Sequence, residues 1–316
     1  MEAESMTPWT FLCACDMQPG SPRSFRFRQQ HRENWERTLK QLHREDADLL
    51  LVGGDLTRDG SIHDFEYEEL KSELGGLPYP FYAVPGNMDT GNKHSEIEHK
   101  RSHAEVQPEQ LDRFMRFFGA FPWTVVHKNV RFSGIYAALA GSGLPHEDEM
   151  WRFLEEELQA APRVDHHVMV MHYALFIDDV REETWDLTDE SQYHSWYFSI
   201  DREHRLRMFE AMKSAGVELV LSGHIHCRKP EQACEGVRFL KCAGIAFPQW
   251  ADHWTDGDPS LGYHRFEVSE DGISETFVPL ESEATTTDGF GPGGHPDPEE
   301  RDYSLAWETP PAEFLK

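Results

Sequence analysis

Five short apolar runs in this chain each end at a side chain that can bind a metal ion. The clearest is the run 48–53, which continues through Gly54 to Asp55, so that no bulky side chain precedes the carboxylate. Apolar runs of this length, bounded by glycine or polar residues, are typical of buried strands. A strand that ends in this way brings a carboxylate to the rim of a sheet. One carboxylate that touches two ions, with donors converging from both sides, is the minimum description of a two-metal hydrolase.

Further donors follow the other runs. The five run ends read Cys15-Asp16-Met17-Gln18, Gly54-Asp55, Gly86-Asn87-Met88-Asp89, Met171-His172 and Gly223-His224-Ile225-His226. Residues two apart on an extended chain face the same way. This pairs Asp16 with Gln18 and, in the last run, His224 with His226. The predicted metal ligands are Asp16, Gln18, Asp55, Asn87, His172, His224 and His226. With Asp55 shared, each ion has about four protein ligands and keeps open positions for water. Mixed carboxylate, amide and imidazole donors suit manganese, iron or zinc better than calcium.

Each of these donors, taken alone, has an ordinary structural explanation. Asp16 could cap a helix, Asn87 could occupy a turn, and His224 could be a buried side chain with a hydrogen-bond partner. Five run ends in succession that all deliver donors are hard to produce by accident. The joint arrangement therefore favours a metal centre over these separate explanations.

The order of the predicted elements indicates the fold class. Helices are expected at 28–45, 61–74, 108–118, 147–160 and 201–214, with strands between them and long loops at 90–107 and 173–199. Later the pattern turns to strands, at 237–242, 262–268 and 273–278. This order predicts an α/β fold with a mixed sheet, or two packed sheets with helices outside. We expect one domain over residues 1–280 and an acidic, Gly/Pro-rich, weakly ordered tail over residues 281–316.

Charge and cysteine content restrict the class of partner. The formal net charge of −27 argues against a nucleic-acid partner, because such proteins normally present a basic face. No apolar run approaches the roughly 18 residues of a membrane span, and the start lacks the regions of a signal peptide. Five cysteines without a Cys-x-x-Cys pair indicate a reduced, cytoplasmic setting and no structural zinc site.

The run-end motifs together resemble those of the calcineurin-like metallophosphoesterase superfamily. The motifs are Asp-x-Gln, Gly-Gly-Asp, Gly-Asn-x-Asp, a single His after a strand and Gly-His-x-His, and the resemblance extends from Asp16 to about Val278. It implies a four-layer α-β-β-α sandwich of two mixed β-sheets with flanking helices, and a dimetal site at the strand ends. It also implies that Asp16, Gln18, Asp55 and His226 hold one ion, while Asp55, Asn87, His172 and His224 hold the other. The ions would be divalent or of mixed valence (Mn, Fe, Zn or Mg), with manganese and iron favoured.

Two positions depart from the pattern of that family. Gln18 stands where the family usually has His, and an amide oxygen is a weaker donor to zinc than imidazole, so Mn²⁺ or Mg²⁺ gains relative to zinc. Met88 replaces the His that lies beside the substrate phosphate in the family, and a thioether donates no proton. Asp89 then lacks the imidazole that it would orient. Candidate replacements on the following loop are His94, His99 and His103, and the alternatives are a metal-bound water or a loop that simply faces solvent.

The resulting prediction is a dimetal phosphoesterase that hydrolyses a small phosphate monoester or diester through a hydroxide that bridges the ions. A diester is slightly favoured as the substrate. The expected catalytic residues are Asp55, Asn87, His224, Asp89 and His94. Losing Asp55 should remove both ions. A scaffold that keeps the fold but has lost turnover is the alternative, and Gln18 and Met88 favour it. A serine hydrolase is disfavoured, because the chain has no Gly-x-Ser-x-Gly elbow.

Two further groups of side chains are candidates for contact with the substrate. Arg23 and Arg26 lie in the one concentrated basic stretch, just after Gln18, and are expected to reach a phosphate, unless they face water. Five aromatic residues on predicted loops could form a wall for a base or an apolar group, or could simply pack in the core. They are Trp185, Trp196, Tyr197, Trp250 and Trp254.

Overall fold

Two mixed β-sheets form the centre of the molecule. The computed structural model describes residues 7–22, 24, 27–94, 105–182, 186–248 and 254–286. The first sheet contains β1 (Trp9–Ala14), β2 (Leu49–Gly53), β3 (Phe81–Val84), β10 (Gly262–Ser269) and β11 (Gly272–Pro279), in the order β11-β10-β1-β2-β3. The second contains β4 (Trp123–His127), β5 (Val130–Gly134), β6 (His166–Met171), β7 (Leu219–Ser222), β8 (Gln232–Cys234) and β9 (Val237–Lys241), in the order β4-β5-β6-β7-β9-β8.

The strands that matter for the site run in parallel. In the first sheet β1, β2 and β3 are parallel, and in the second sheet β5, β6, β7 and β9 are parallel. Antiparallel pairs complete the edges, namely β1 with β10, β10 with β11, β4 with β5, and β8 with β9. Since the carboxyl ends of parallel strands meet at one edge of a sheet, each sheet collects its run ends in one place.

Helices cover the outer face of each sheet. They are α1 (Gln29–Leu42), α2 (Asp64–Gly75), the single turn α3 (Asn87–Thr90), α4 (Pro108–Phe118), α5 (Pro145–Arg152), α6 (Leu158–Ala160), α7 (Glu190–Tyr197) and α8 (Arg202–Ser214). A π-helical turn, Phe153–Glu157, joins α5 to α6, and a 3₁₀ turn spans Ala137–Leu139. Among the described residues, no helix is long and apolar enough to cross a bilayer.

Alternation along β1 and β2 explains the layering. Phe11 and Leu51 point toward the second sheet, where they pack with Phe132 and Val168 in the layer between the sheets. The residues next to them, such as Leu50, belong instead to the core beneath the helices. Both faces of these strands are buried, so the sequence shows continuous apolar runs rather than alternation with polar residues. The expected α-β-β-α sandwich is thus confirmed.

Several boundaries differ from those predicted. The loop predicted at 173–199 contains helix α7, and the short edge strand β8 was not predicted. The expected division at residue 280 stays a prediction. Of the tail, residues 281–286 lie against α1, where the Ala284 amide donates to Asn34 Oδ1 at 2.7 Å and Arg37 donates to the Ser282 carbonyl at 2.9 Å. The rest of the tail lies outside the described residues.

Candidate metal centre

The predicted ligands meet where the carboxyl ends of the two sheets face each other. Asp16 and Gln18 follow β1, Asp55 follows β2, and Asn87 opens α3 directly after β3, while the histidines follow β6 and β7. Backbone hydrogen bonds lock the first two strand ends together, from the Asp16 amide to the Gly54 carbonyl at 3.1 Å and from the Gln18 amide to the Asp55 carbonyl at 3.2 Å. The fold therefore gathers residues that lie as far apart in the chain as Asp16 and His226.

Left-handed backbone is concentrated at these strand ends. Seven described residues other than glycine have positive φ, and five of them are predicted ligands. These are Asp16 (55°), Gln18 (35°), Asp55 (49°), His224 (70°) and His226 (48°). A left-handed conformation costs a side-chain-bearing residue roughly 1–2 kcal/mol, although Asp and His tolerate it better than most types. Such strain persists only where the surrounding structure imposes it, and it clusters at functional sites.

Glycines make room for the donors. A Cβ at Gly86 would lie 2.1 Å from Asp55 Oδ1, and one at Gly54, whose φ is 89°, would lie 2.4 Å from His172 Nδ1. A Cβ at Gly223 would lie 2.7 Å from Asp16 Oδ2. Any side chain at these positions would push a donor out of place. The glycines of the sequence motifs are thus needed for close packing of the centre.

Asp55 belongs to two groups of possible ligands. Asp16, Asp55 and His226 offer ligand atoms that all lie within 4.8 Å of one another, and so do Asp55, His172 and His224. His226 Nε2 is 3.3 Å from Asp16 Oδ1, and His172 Nε2 is 3.3 Å from Asp55 Oδ1. Asn87 Oδ1 joins the second group, 3.0 Å from His172 Nε2. A carboxylate shared between two groups is the arrangement expected of a bridging ligand.

Two of the three histidines are oriented by backbone carbonyls. His172 Nδ1 donates to the Gly53 carbonyl and His226 Nδ1 to the Phe247 carbonyl, each at 2.9 Å. These contacts leave Nε2 of both rings as the lone-pair nitrogen, directed at the other donors. Nε2 of His224 is buried without a hydrogen-bond partner. Backbone carbonyls commonly fix metal-binding histidines in this way.

Burial keeps these imidazoles neutral, which is the form that binds metal. It lowers the pKa of His172 and of His226 to about 4, and it lowers the pKa of His224 well below the usual value. Burial also raises the pKa of Asp16, and the neighbouring Asp55 carboxylate raises it further. Two adjacent buried carboxylates and an unpartnered imidazole nitrogen form a set that a cation would satisfy. The donors present thus fit a pair of metal ions.

Gln18 lies at the first group, with its amide in a defined orientation. Its Nε2 donates to Asp55 Oδ2 at 2.9 Å and lies 3.3 Å from His226 Nε2. Its Oε1 accepts a hydrogen bond from Arg58 Nη1 at 3.0 Å. Coordination through the amide oxygen would require a half-turn of the amide and loss of this contact to Arg58. The role of Gln18 as a ligand stays a prediction.

Asp89 acts within the described structure as a clamp between two loops. It accepts hydrogen bonds from the amides of Leu56 and Thr57, each at 3.0 Å, and from the amide of Gly86 at 2.9 Å. The Thr57 hydroxyl also donates to it, at 2.8 Å. Burial, followed by the charge of Asp55, raises the pKa of Asp89 to about 7. These contacts hold the loops after β2 and β3 in register.

The other predicted site residues lie in varied settings. His94 is partly exposed, with Nδ1 2.9 Å from Glu105 Oε2. Trp196 is fully buried beneath Lys93, so it packs in the interior rather than lining a substrate wall. Arg23, Arg26, His99, His103, Trp185 and Trp250 lie outside the described residues. The catalytic roles given to Asp89 and His94 stay predictions.

Sequence reasoning missed Arg58. Its guanidinium is half-buried and contacts Gln18 at the rim of the centre. It is close enough to His226 to help lower the pKa of that imidazole, after burial and His172. The available signal was its position three residues after Asp55, on the same strand end.

Comparisons with known proteins identify the family and similar folds. The sequence profile of the calcineurin-like phosphoesterase family matches residues 10–228. No curated protein sequence matches the chain. Among solved structures, a purple acid phosphatase from yellow lupin (Lupinus luteus) seeds is similar with a TM-score of 0.61 and 13% identity, over 90% of this chain and 53% of that chain. The anchor protein in the inner membrane complex of Plasmodium is similar with a TM-score of 0.56 and 15% identity, over 90% and 89%.

These structural likenesses are evidence of the fold alone, and the chain spans about half the length of the lupin phosphatase. The family profile goes further, because it covers more than half of the sequence and includes every strand end that supplies a predicted ligand. The chain belongs to the calcineurin-like phosphoesterase family.

Proposed function

We propose that this protein is a dimetal hydrolase of small phosphate esters. The observation that carries the proposal is the membership of Asp55 in both groups of possible ligands, with ligand atoms within 4.8 Å in each. When bound, a pair of ions supplies Lewis acidity and lowers the pKa of water from 15.7 toward ~7. Manganese or iron suits the mixed donor set, and we keep both as candidates.

The residues of the chain divide the work of binding and orienting. Asp55 would hold both ions, and the backbone carbonyls of Gly53 and Phe247 fix the imidazoles of His172 and His226. Asp89 holds the loops that carry Asp55 and Asn87 at a constant separation. The reacting ester would then meet donors whose positions are set before it arrives, which is a large source of catalytic rate.

Arg58 is the side chain that we assign to the substrate phosphate. A chain of net charge −27 repels anions at long range, so admission of a phosphate ester depends on local positive charge. Arg58 provides such a charge at the rim, half-buried and in contact with Gln18. A planar guanidinium also matches two phosphate oxygens at once. Arg23 and Arg26 remain proposed as additional contacts.

The size of the substrate is inferred from the sequence. The order Arg58-Asp59 after Asp55 differs from the Asp-Arg order of the protein phosphatases in this superfamily. We therefore propose a small-molecule ester, with diesters ahead of monoesters. The acidic charge opposes a nucleic acid as substrate. The described cysteines are all free, which supports the proposed cytoplasmic setting.

The test is hydrolysis of a panel of phosphate monoesters and diesters with Mn²⁺, by the parent, Asp55→Asn and His224→Ala. The activity of each variant should be lower than that of the parent by about 100-fold or more, because each lacks a proposed ligand. Loss of a group that only orients a ligand already costs about 10- to 100-fold. Asp48→Asn is the matched control, since Asp48 precedes the same strand at its opposite end and pairs with His127 at 2.6 Å. Parent-like hydrolysis by Asp55→Asn would show that the mechanism is wrong.

A scaffold without turnover is the second candidate. Two observations favour it: the amide nitrogen of Gln18 faces the first group of ligands, and Met88 occupies the usual position of a catalytic His. The similar Plasmodium structure is described as an anchor. Metal counting separates the candidates, because the enzyme should bind two ions per chain, whereas the scaffold should bind one or none and hydrolyse no ester.

A further inference from the structure

Lys93 is a buried lysine in the loop that follows α3. Its Nζ donates to the carbonyls of Trp196 and Ser199, each at 2.6 Å, and to Asp201 Oδ1 at 2.8 Å. The three donors of the ammonium group are thus all used, and the side chain is 3% exposed. Burial lowers the pKa of Lys93 to about 8 while Asp201 opposes the shift, so the ammonium form predominates at pH 7.

Lys93 donates these hydrogen bonds to the carboxyl end of α7. Carbonyls in the last turn of a helix have no partner within the helix, and a cation there is favourable. Lys93 binds the carbonyls of Trp196 and Ser199, which lie on either side of Tyr197 in the chain. The positions of Tyr197 and Phe198, which lie between these two carbonyls, therefore depend on Lys93.

Tyr197 and Phe198, at the end of α7, pack against His224, with the Phe198 ring centroid 4.9 Å from the imidazole. The carbonyls that orient His172 and His226 belong to Gly53 in β2 and to Phe247. His224 is different, because the side chains beside it belong to the end of a helix outside both sheets.

The residue before Lys93 binds the same surroundings. Asn92 Oδ1 accepts hydrogen bonds from Tyr197 at 3.0 Å and from Tyr173 at 3.3 Å. The Tyr173 and Tyr197 rings lie 4.1 Å and 5.4 Å from the His224 ring. The loop after α3 thus acts on the surroundings of His224 in two ways: Asn92 accepts hydrogen bonds from the two tyrosines, and Lys93 binds the end of α7.

We propose that Lys93 is a positioning residue for His224: by holding the end of α7, it fixes the rings that pack against this imidazole and orient it toward the second ion. The second ion is the one that Asp55, Asn87, His172 and His224 would hold. The inference rests on the proposed two-ion centre. Lys93 itself contacts neither the ions nor the substrate. It connects the loop that carries Asn87 to His224, and both of these are predicted ligands of the same ion.

The test is a titration of the metal-free protein with Mn²⁺, in which calorimetry and electron paramagnetic resonance measure binding at each of the two sites. Lys93→Met should weaken binding of the second ion by about 10- to 100-fold, the usual effect of losing a residue that orients a metal ligand, and should leave binding of the first ion unchanged. The variant His224→Ala identifies which binding phase belongs to the second ion. If Lys93 acts through His224, adding Lys93→Met to His224→Ala should weaken binding no further.

Lys241→Met is the matched control. Lys241 is 2% exposed and lies 4.5 Å over the Phe176 ring, much as Lys93 lies 4.4 Å over Trp196. Its Nζ donates to Gln232, in β8. Losing this buried lysine should lower stability without changing either ion affinity. If Lys93→Met does not fold, Lys93→Gln replaces it in the test. The glutamine side chain keeps a hydrogen-bond donor but is too short to reach the carbonyls, so the same selective weakening of the second ion is expected.

Three results obtained with Lys93→Met overturn the inference alone. A parent-like titration of Lys93→Met would do so, and so would an equal loss of both ions or a further loss in the His224→Ala background. A parent that binds no Mn²⁺ overturns the proposed function as well. A parent that binds two ions but hydrolyses no ester refutes only the proposed activity, because the titration needs no turnover.

Discussion

Gly86 offers a steric test of the whole centre. A Cβ at this position would lie 2.1 Å from Asp55 Oδ1 and 2.2 Å from the Asp55 amide nitrogen. The φ of Gly86 is −113°, which an alanine adopts without strain. Gly86→Ala therefore changes the available space and leaves the backbone preference nearly untouched. It also removes no donor from the centre.

The expected displacement follows from these distances. A real Cβ does not approach another heavy atom closer than 3.0 Å, so Asp55 and the β3–α3 turn must move apart by about 0.9 Å. Because one of the opposing atoms is backbone, rotation of the Asp55 side chain alone does not relieve the overlap. Overpacking of this kind costs about 1–3 kcal/mol of stability. A displacement of about 1 Å at a reacting centre lowers activity by about 100-fold.

Activity, bound metal and unfolding in urea should be measured on the parent, Gly86→Ala and the control Gly75→Ala. A Cβ at Gly75, the last residue of α2, meets nothing within 4 Å, so the control should be neutral or more stable by up to about 1 kcal/mol. We expect Gly86→Ala to remain folded, to bind less Mn²⁺ and to lose about 100-fold in activity. Parent-like metal content and activity would refute the proposed place of Asp55 in the centre.

Two further predictions concern single side chains. Gln18→His should tighten binding of the first ion in a competition titration, because imidazole is the better donor to a borderline metal; unchanged or weaker binding would count against Gln18 as a ligand. Burial, followed by the charge of Asp59, raises the pKa of Glu66 to about 8 from 4.5. The folded state thus holds this proton more tightly than the unfolded state, so the contribution is full below pH 4.5 and is lost as the pH rises through about 8. Between pH 5 and pH 8 the parent should therefore lose stability to unfolding relative to Glu66→Gln, which has no titrating group at this position. A difference in unfolding free energy that stays constant over this range would contradict the raised pKa of Glu66.

The strand ends could be predicted because their signal is local. The run 49–53 is apolar throughout, and Asp55 comes two residues later, so the carboxylate and its strand are read from one short stretch. The grouping of donors then follows from parallel strands having their carboxyl ends at one edge. The same reasoning fails for β8, because Gln232–Cys234 is only three residues long and is paired on one side only.

Contacts between distant parts of the chain were beyond the reach of such patterns. The orientation of the Gln18 amide depends on Arg58, which lies on another strand end. The role of Lys93 depends on carbonyls about a hundred residues later, and helix α7, which carries Tyr197, falls in a region predicted to be a loop. Backbone carbonyls have no sequence signature, so the partners that orient the histidines could be found only from coordinates.

The left-handed backbone at the strand ends has a consequence for laboratory evolution. Glycine adopts positive φ freely, so replacing Gln18, which is not a type that tolerates this conformation well, would relieve strain in the metal-free chain. A screen that rewards heat tolerance alone would then enrich glycine at the predicted ligand positions that have positive φ. Thermostable descendants selected without an activity filter would then lose the proposed activity, and the location of their substitutions would outline the proposed metal centre.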